Sequence, residues 1–394
     1  MTPTGTPGIR VAVDASNLRA GGGRTHLVEL LRAADAARDN IEQVTVWGSR
    51  DTLARLPKRD WLRATHVPDL DGGLARRALW QAWSLRGAAA HAGDVLFSPG
   101  GLAPRTPQPT VVMCRSMLPF DGAERRRYAR GERLRLETLR ALQASSFVRS
   151  SATIFLSRYA MDAVLPQLVR RPERVVIIPH GVDPAFRKAS PRETSAISEP
   201  PPTRLRLLYV SYLTPYKHQC EVLRAVADLR QRFPVSLDFV GQADTSAYCQ
   251  EFARLLKQLD PLGEWATHRN TVPHAELPSI YHAADAFIYA SSCENFPNVL
   301  LEAMASGLPI LSSDRGPMPE ILGDAGIYFD PESVDSIAGA LAELVGCDPA
   351  RRTALATRGE RRAAAFTWER CCKATFRVLA AVVSGRGRIG DLGF

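Results

Sequence analysis

Short apolar runs alternate with segments of helical period along the chain. Ile9–Ala15, Val44–Trp47, Val95–Ser98, Val111–Met113, Ile154–Ser157 and Val175–Pro179 read as strands bounded by polar, Gly or Pro residues. Between them, Arg24–Ala37 places Leu27, Leu30, Leu31 and Ala34 on one helical face. Strands that are apolar throughout need cover on both sides, which predicts an α/β fold with doubly wound parallel sheets. Lys188–Arg204, with Pro191, Pro200, Pro201 and Pro202, breaks the pattern and reads as a linker. The alternation restarts with Leu205–Val210, Leu237–Val240, Phe287–Ala290, Ile310–Ser312 and Ile327–Phe329. The expected division is therefore a first domain over 1–187, a linker over 188–204 and a second domain over 205–366. A last helix, 367–384, is expected to pack back on the first domain, and Ser384–Phe394 reads as a tail.

Charge sharpens this division. The 394 residues carry a formal net charge of +9. Residues 1–203 hold 30 Lys+Arg against 19 Asp+Glu, a net of +11, which leaves 20 against 22 in the remainder. The positive excess thus belongs to the first half. Seven scattered cysteines form no C-x-x-C pair, so neither a disulfide framework nor a zinc site is expected. No apolar stretch approaches the roughly 20 residues of a membrane span, and the first residues do not read as a signal peptide. The expectation is a cytoplasmic protein, peripheral on the inner face of the cell membrane.

Three segments carry candidate chemistry. Gly21-Gly22-Gly23-Arg24 follows the first strand and precedes a helix, where backbone approach and free N–H groups favour an anion. The dinucleotide pattern G-x-G-x-x-G is not met, because His26 stands at its last position, and no P-loop sequence occurs. Lys217, one of only five lysines, lies after the strand Leu205–Val210, in Tyr212-Leu213-Thr214-Pro215-Tyr216-Lys217, and can neutralise a phosphate. The third segment runs from Ser291 to Ile310: a polar loop with Glu294, then a helix beginning near Pro297 and holding Glu302. Its first amides, at Asn298 and Val299, suit phosphate oxygens. Two carboxylates beside an anion site fit a ligand that combines hydroxyls with phosphates, a nucleotide sugar.

Glu294 and Glu302, with seven residues between them, resemble the E-x7-E motif of retaining glycosyltransferases of family 4, which have the GT-B fold. Gly22-Gly23, Val176–Asp183 and Tyr209–Lys217 stand in the order that resemblance requires, from about Val11 to Thr367. It implies two Rossmann-like domains facing a central cleft, a metal-independent transfer with retention, and no cofactor. It implies that Glu302 binds the ribose hydroxyls and that Glu294 contacts the donor sugar. Phe296, Pro297, Asn298 and Val299 would surround sugar and pyrophosphate, Lys217 would neutralise the pyrophosphate, and the backbone near Val272 would meet the base. Gly22 and Gly23 would face the pyrophosphate from the first domain. Two positions depart from the pattern: Tyr212 stands where the family usually has an arginine, and Arg115-Ser116 where it usually has His-Asp. The catalytic set so defined is Glu294, Lys217 and Arg115. Tyr212 is counted on the donor side, with Arg24, Arg115, Ser116 and His180 on the acceptor side.

GDP-mannose is the favoured donor, with UDP- and dTDP-sugars as alternatives, and a glycan or lipid-linked glycan is the expected acceptor, in cell-surface polysaccharide synthesis of O-antigen type. Asp69-Leu70-Asp71 reads as a turn, and no metal ligands are assigned. Glu124–Leu142 reads as an arginine-rich helix, and Arg125–Arg135 could meet an anionic membrane surface. The alternatives are a nucleotide-sugar epimerase of the same fold and a basic nucleic-acid-binding protein. Nucleic acid is not expected as a partner, because no reading motif accompanies the charge.

Overall fold

The computed structural model describes residues 8–19, 21–187 and 204–385. Lys188–Thr203, nearly all of the expected linker, and residues 386–394 of the expected tail lie outside the described residues. The chain divides into two compact units, Met1–Gly181 with Thr367–Phe394, and Val182–Phe366.

The first unit is built on seven parallel strands: β1 (Ile9–Asp14), β2 (Ile41–Gly48), β3 (Leu62–His66), β4 (Val95–Ser98), β5 (Thr110–Met113), β6 (Ala152–Phe155) and β7 (Val175–Ile177). Their order is β3-β2-β1-β4-β5-β6-β7. The second unit holds six parallel strands: β8 (Leu205–Val210), β9 (Val235–Val240), β10 (Ala266–Arg269), β11 (Ala286–Tyr289), β12 (Ile310–Ser313) and β13 (Gly326–Phe329), ordered β10-β9-β8-β11-β12-β13. In each sheet the order reverses at the first strand, β1 or β8. Doubly wound sheets bind ligands outside the carboxyl ends of the strands at such a point.

The central strands β4, β6, β11 and β12 are buried at every position, as their apolar sequences require. The hydrophobic pattern does not predict β3 (Leu-Arg-Ala-Thr-His) or β10 (Ala-Thr-His-Arg). Both are edge strands with solvent on one side, so they lack the apolar run that marks a central strand.

In the helix Gly21–Ala33, Leu27, Leu30 and Leu31 are essentially inaccessible. The helix Trp368–Val383 packs against it within the first unit, burying Trp368, Phe376, Leu379 and the adjacent Cys371 and Cys372.

Two boundaries move. The first unit ends at Gly181 rather than after residue 187, because Phe186 is fully buried against Tyr281 of the second unit, ring to edge at 5.3 Å. The expected helix Glu124–Leu142 is broken into Gly122–Arg125 and Arg130–Arg149, with the Asp121 carboxylate capping the first piece at Ala123 and Glu124. Its positive charge is partly neutralised, since Arg127, Arg133 and Arg135 pair with Glu124, Glu137 and Glu132. Asp69–Asp71 lies in a short 3-10 helix, and the Asp71 carboxylate accepts the Arg50 N–H at 2.8 Å, a structural use of the acid.

Candidate functional site

In the second unit, β8 and β11 lie side by side at the reversal of strand order, and each ends in a loop that delivers one charged side chain. After β8 the chain turns through a short 3-10 helix, Pro215–Lys217, and His218 takes a left-handed conformation (φ 51°) before the helix Gln219–Leu229 begins. The Tyr209 hydroxyl bonds the Lys217 carbonyl, which fixes the lysine backbone to the sheet. After β11, Ser292 N–H donates to the Tyr216 carbonyl at 2.9 Å and ties the second loop to the first.

Lys217 and Glu294 meet here as an ion pair in which both side chains are largely buried. The lysine ammonium also donates to the Tyr289 hydroxyl at 2.6 Å and lies over that ring, 4.8 Å from its centre. Tyr289 in turn donates to Glu294 at 2.7 Å, and Ser291 donates to the same carboxylate at 2.8 Å. All three bonds fall on Oε1, and among the described residues none falls on Oε2. One carboxylate oxygen is therefore held rigidly while the other retains acceptor capacity.

Glu302 sits in the helix Asn298–Ala305, 8 % exposed, and accepts one hydroxyl bond, from Tyr281 at 3.0 Å. Burial raises its carboxyl from 4.5 to about 7; the Tyr281 bond opposes the rise, and the nearby Asp183 charge adds to it. A buried carboxyl with a single partner is unusual as a stabilising element and suits a ligand that brings hydroxyl donors. The two glutamates share a scaffold. Tyr281 stacks on Phe287 at 5.6 Å, and Phe287 on Tyr289 at 6.1 Å, so the tyrosine under each glutamate belongs to one aromatic ladder.

The remaining expected donor residues surround this pair. Pro297 precedes the helix rather than occupying its first turn, and Asn298 and Val299 are half-buried in that turn. Phe296 is buried edge-on to Phe366, at 5.6 Å. Tyr212 is 47 % exposed on the loop after β8, and Val272 is half-buried on the loop after β10. Gly241 brings the loop after β9 against Ser211: its φ is 152°, and a β-carbon there would stand 1.9 Å from the Ser211 carbonyl oxygen.

In the first unit, Gly22 and Gly23 are not a loop before a helix but the first turn of the helix Gly21–Ala33. Arg115 follows β5, and its guanidinium lies against that turn: a β-carbon at Gly23 would stand 2.8 Å from Nη1 and 2.9 Å from Cζ. An alanine there would have to displace the end of the flexible Arg115 side chain. Arg115 is half-buried, and its Nη1 has no hydrogen-bond partner among the described residues. Burial lowers its pKa to about 10, and it remains a cation at neutral pH. An unpartnered guanidinium beside free helix amides is an anion site in waiting. Ser116 beside it is exposed.

Arg24 pairs with Asp51 and donates to the Arg19 carbonyl at 2.7 Å. His180, expected to contact an acceptor, is 3 % exposed, stacks on His26 at 4.8 Å and lies tilted against Trp368 at 5.6 Å. Its ring is packed inside the unit rather than at the surface. Burial, with His180 and Arg115 nearby, holds His26 neutral.

The sequence pattern does not single out Tyr289, Ser291, Tyr281 or His26, nor Asp14. The Asp14 carboxylate is buried at the end of β1, where it accepts Ser16 N–H at 3.0 Å and Ser98 Oγ at 3.3 Å, and burial raises its pKa. Each is a single residue inside an apolar strand or helix, or beside one, with no motif to mark it. An aspartate closing an otherwise apolar strand is the only available signal.

Two family models match the chain, one to each half: Glycosyltransferase Family 4 over residues 20–186 and Glycosyl transferases group 1 over residues 191–362. The chain carries two glycosyltransferase domains. Among relatives, O-antigen chain mannosyltransferase B of Escherichia coli is 34 % identical over 172 residues, 43 % of this chain and 44 % of that protein. A D-inositol 3-phosphate glycosyltransferase of Kineococcus radiotolerans is 32 % identical over 234 residues, 55 % and 53 % of the two chains. The chain thus spans about half the length of the curated relatives it matches. Among solved structures, the sucrose-phosphate synthase of Thermosynechococcus elongatus superposes with a TM-score of 0.72 at 18 % identity, over 95 % of this chain and 99 % of that one. WaaG, a glycosyltransferase involved in lipopolysaccharide biosynthesis, gives 0.70 at 18 % identity, over 93 % and 99 %. The fold is GT-B. Within the second glycosyltransferase domain, the Lys217–Glu294 pair and Glu302 occupy the carboxyl ends of β8 and β11 and the helix that follows. In the first, Arg115 and Gly23 occupy the corresponding ends of β5 and β1.

Proposed function

We propose that the chain is a retaining hexosyltransferase of glycosyltransferase family 4 that moves a hexose from a nucleotide sugar to a glycan or lipid-linked glycan in cell-surface polysaccharide synthesis. The observation that carries this reading is the second-unit cluster, in which a buried cation, the buried Glu302 and the partly buried Glu294, both carboxylates with spare acceptor capacity, stand at the reversal of the sheet. Lys217 and the Asn298 and Val299 amides hold the pyrophosphate, Glu302 accepts the ribose hydroxyls, and Glu294 accepts sugar hydroxyls through Oε2. The bond from the anomeric carbon to the diphosphate oxygen breaks as the bond to the acceptor oxygen forms on the same face. The acceptor proton leaves with the departing diphosphate. Stabilising the negative charge that develops on that leaving group is the principal catalytic work. No metal is assigned to this step.

GDP-mannose is the first donor to try, supported by the mannosyltransferase relative. UDP-sugars come next, since the structural neighbour HepE of Anabaena was solved with UDP and glucose (TM-score 0.69, 18 % identity). The acceptor is assigned to the first unit, where Arg115 and the Gly21–Gly23 amides offer an anion site. A setting at the inner face of the membrane is supported by the helix Leu74–Ala92, on which Leu79 and Trp83 are 60 % and 79 % exposed and flanked by exposed Arg76 and Arg86. Arg126 and Arg130 add basic surface to the same unit. Among the described residues no helix is long and apolar enough to cross a membrane.

The test is turnover of GDP-mannose, UDP-glucose and dTDP-glucose with and without lipid-linked oligosaccharide. Nucleoside diphosphate release that depends on acceptor, with the anomeric configuration retained in the product, supports the proposal. Inversion, or acceptor-independent release with an epimerised sugar, overturns it.

A further inference from the structure

A cavity of about 550 Å³ opens in the first unit at the edge opposite Arg115. Its walls come from the loop before β5, the end of the helix Arg130–Arg149 and the loop before β6, so it lies at the amino ends of the strands. Arg115 follows the carboxyl end of β5, one strand length away, or about 13 Å at ~3.3 Å per residue. The volume is in the range of small-molecule sites, roughly 300–1,000 Å³.

Three arginines line the cavity, Arg105, Arg149 and Arg170, and no acidic residue does. All three are exposed, and among the described residues none pairs with a carboxylate. Arg149 donates to the Ser145 hydroxyl and reaches the Ala103 carbonyl at 3.4 Å, and Arg170 reaches the Val148 carbonyl at 3.5 Å, so several guanidinium donors remain for a ligand. Burial, and to a lesser extent the neighbouring Arg105 charge, lower the Arg149 pKa. The Gln108 side chain also lines the cavity, and neither its oxygen nor its nitrogen has a partner among the described residues. Ser151 also lines the cavity, whereas the buried Ser146 hydroxyl is taken up by the Ala103 and Leu142 backbone. The end of the helix Arg130–Arg149 contributes about half a negative charge, which three guanidinium groups outweigh. Arginine at each position, rather than lysine, suits planar recognition of phosphate oxygens.

We propose that this cavity is a second ligand site, separate from the transfer site, that binds a phosphate monoester through Arg105, Arg149 and Arg170. The site stands independently of the transferase reading. Two sources share the chemistry: a soluble sugar or glycerol phosphate, and the monoester headgroup of phosphatidic acid.

The test compares the full-length protein with a triple variant, Arg105→Ala/Arg149→Ala/Arg170→Ala, and with a control, Arg232→Ala/Arg254→Ala/Arg361→Ala, that removes the same charge from the second unit. Because the three cavity arginines are exposed, the variant is expected to unfold at the wild-type temperature, and a single Arg170→Ala variant serves if it does not. Glycerol 3-phosphate is titrated by calorimetry, and phosphatidylcholine vesicles with and without phosphatidic acid are tested by sedimentation. Loss of at least about tenfold in glycerol 3-phosphate affinity in the triple variant alone supports a soluble ligand. The same loss seen only with phosphatidic acid vesicles supports a lipid headgroup. Binding of neither probe to the wild type, or equal weakening in the control, overturns the proposal.

Discussion

Replacing Glu302 with Gln keeps the shape of the side chain and removes its charge. The wild-type carboxyl is buried, and its pKa rises from 4.5 to about 7. Because the folded value lies above the unfolded one, its stabilising contribution is complete below about pH 4.5. It is lost as pH rises through 7, where the buried group must ionise. The change corresponds to about 3 kcal/mol between acid and alkaline conditions. Gln keeps the acceptor for Tyr281, 3.0 Å away, but adds an NH₂ group that needs a partner, at a cost of about 1–2 kcal/mol. The variant should therefore be less stable than wild type at pH 5 and more stable at pH 8, with the difference changing sign by about pH 7. Calorimetric melting temperatures across this range measure it, at roughly 2–4 °C per kcal/mol for a domain of this size. Nucleotide affinity should move the other way. The ionised carboxylate is the better acceptor for ribose hydroxyls, so wild-type GDP binding should strengthen from pH 6 to pH 8 and the variant's should stay weak and flat. A stability difference that does not vary with pH would refute the buried-carboxyl argument, and undiminished GDP affinity in the variant would refute its role in binding.

Lys217→Met should abolish transfer and destabilise the second unit by about 3 kcal/mol, since it strands Glu294; the double variant Lys217→Met/Glu294→Gln should regain most of the stability and none of the activity, as denaturation and turnover assays would show. Gly23→Ala places a methyl group 2.8–3.0 Å from the far end of the flexible Arg115 side chain. It should leave the melting temperature nearly unchanged while raising the KM for acceptor, and an unaltered KM would remove Arg115 from that role. Leu79→Ser/Trp83→Ser should reduce sedimentation with phosphatidylglycerol vesicles without loss of fold, because both side chains are already largely exposed. Unchanged sedimentation would exclude this helix from membrane contact.

Apolar runs in the sequence locate the central strands of both sheets, because strands buried on two faces have few polar positions to spare. The same logic fails at β3 and β10, whose edge positions permit Arg, Thr and His. Glu294, Glu302 and Lys217 can be singled out because charged residues beside strand ends and helix starts are costly without a use. The tyrosines that orient them cannot be, since Tyr281 and Tyr289 are indistinguishable in sequence from core aromatics. Arg24 and His180 are the reverse case. A basic residue near a glycine run and a histidine in a turn both suggest ligand contacts, but an ion pair with Asp51 occupies the first and stacking on His26 buries the second. Charge and periodicity predict one continuous helix in the arginine-rich segment around residue 130. Its break between the helices Gly122–Arg125 and Arg130–Arg149 and its internal ion pairs depend on spacing and partners that charge counting ignores.

Everything proposed for the second unit turns on its binding a nucleoside diphosphate through Lys217 and Glu302. Calorimetric titration of GDP and UDP into the full-length protein and its Glu302→Ala and Lys217→Ala variants tests this most directly. At least one nucleotide should bind the wild type, and its affinity should fall tenfold or more in each variant. Binding of neither nucleotide to the wild type, or equal affinity in all three proteins, would contradict it.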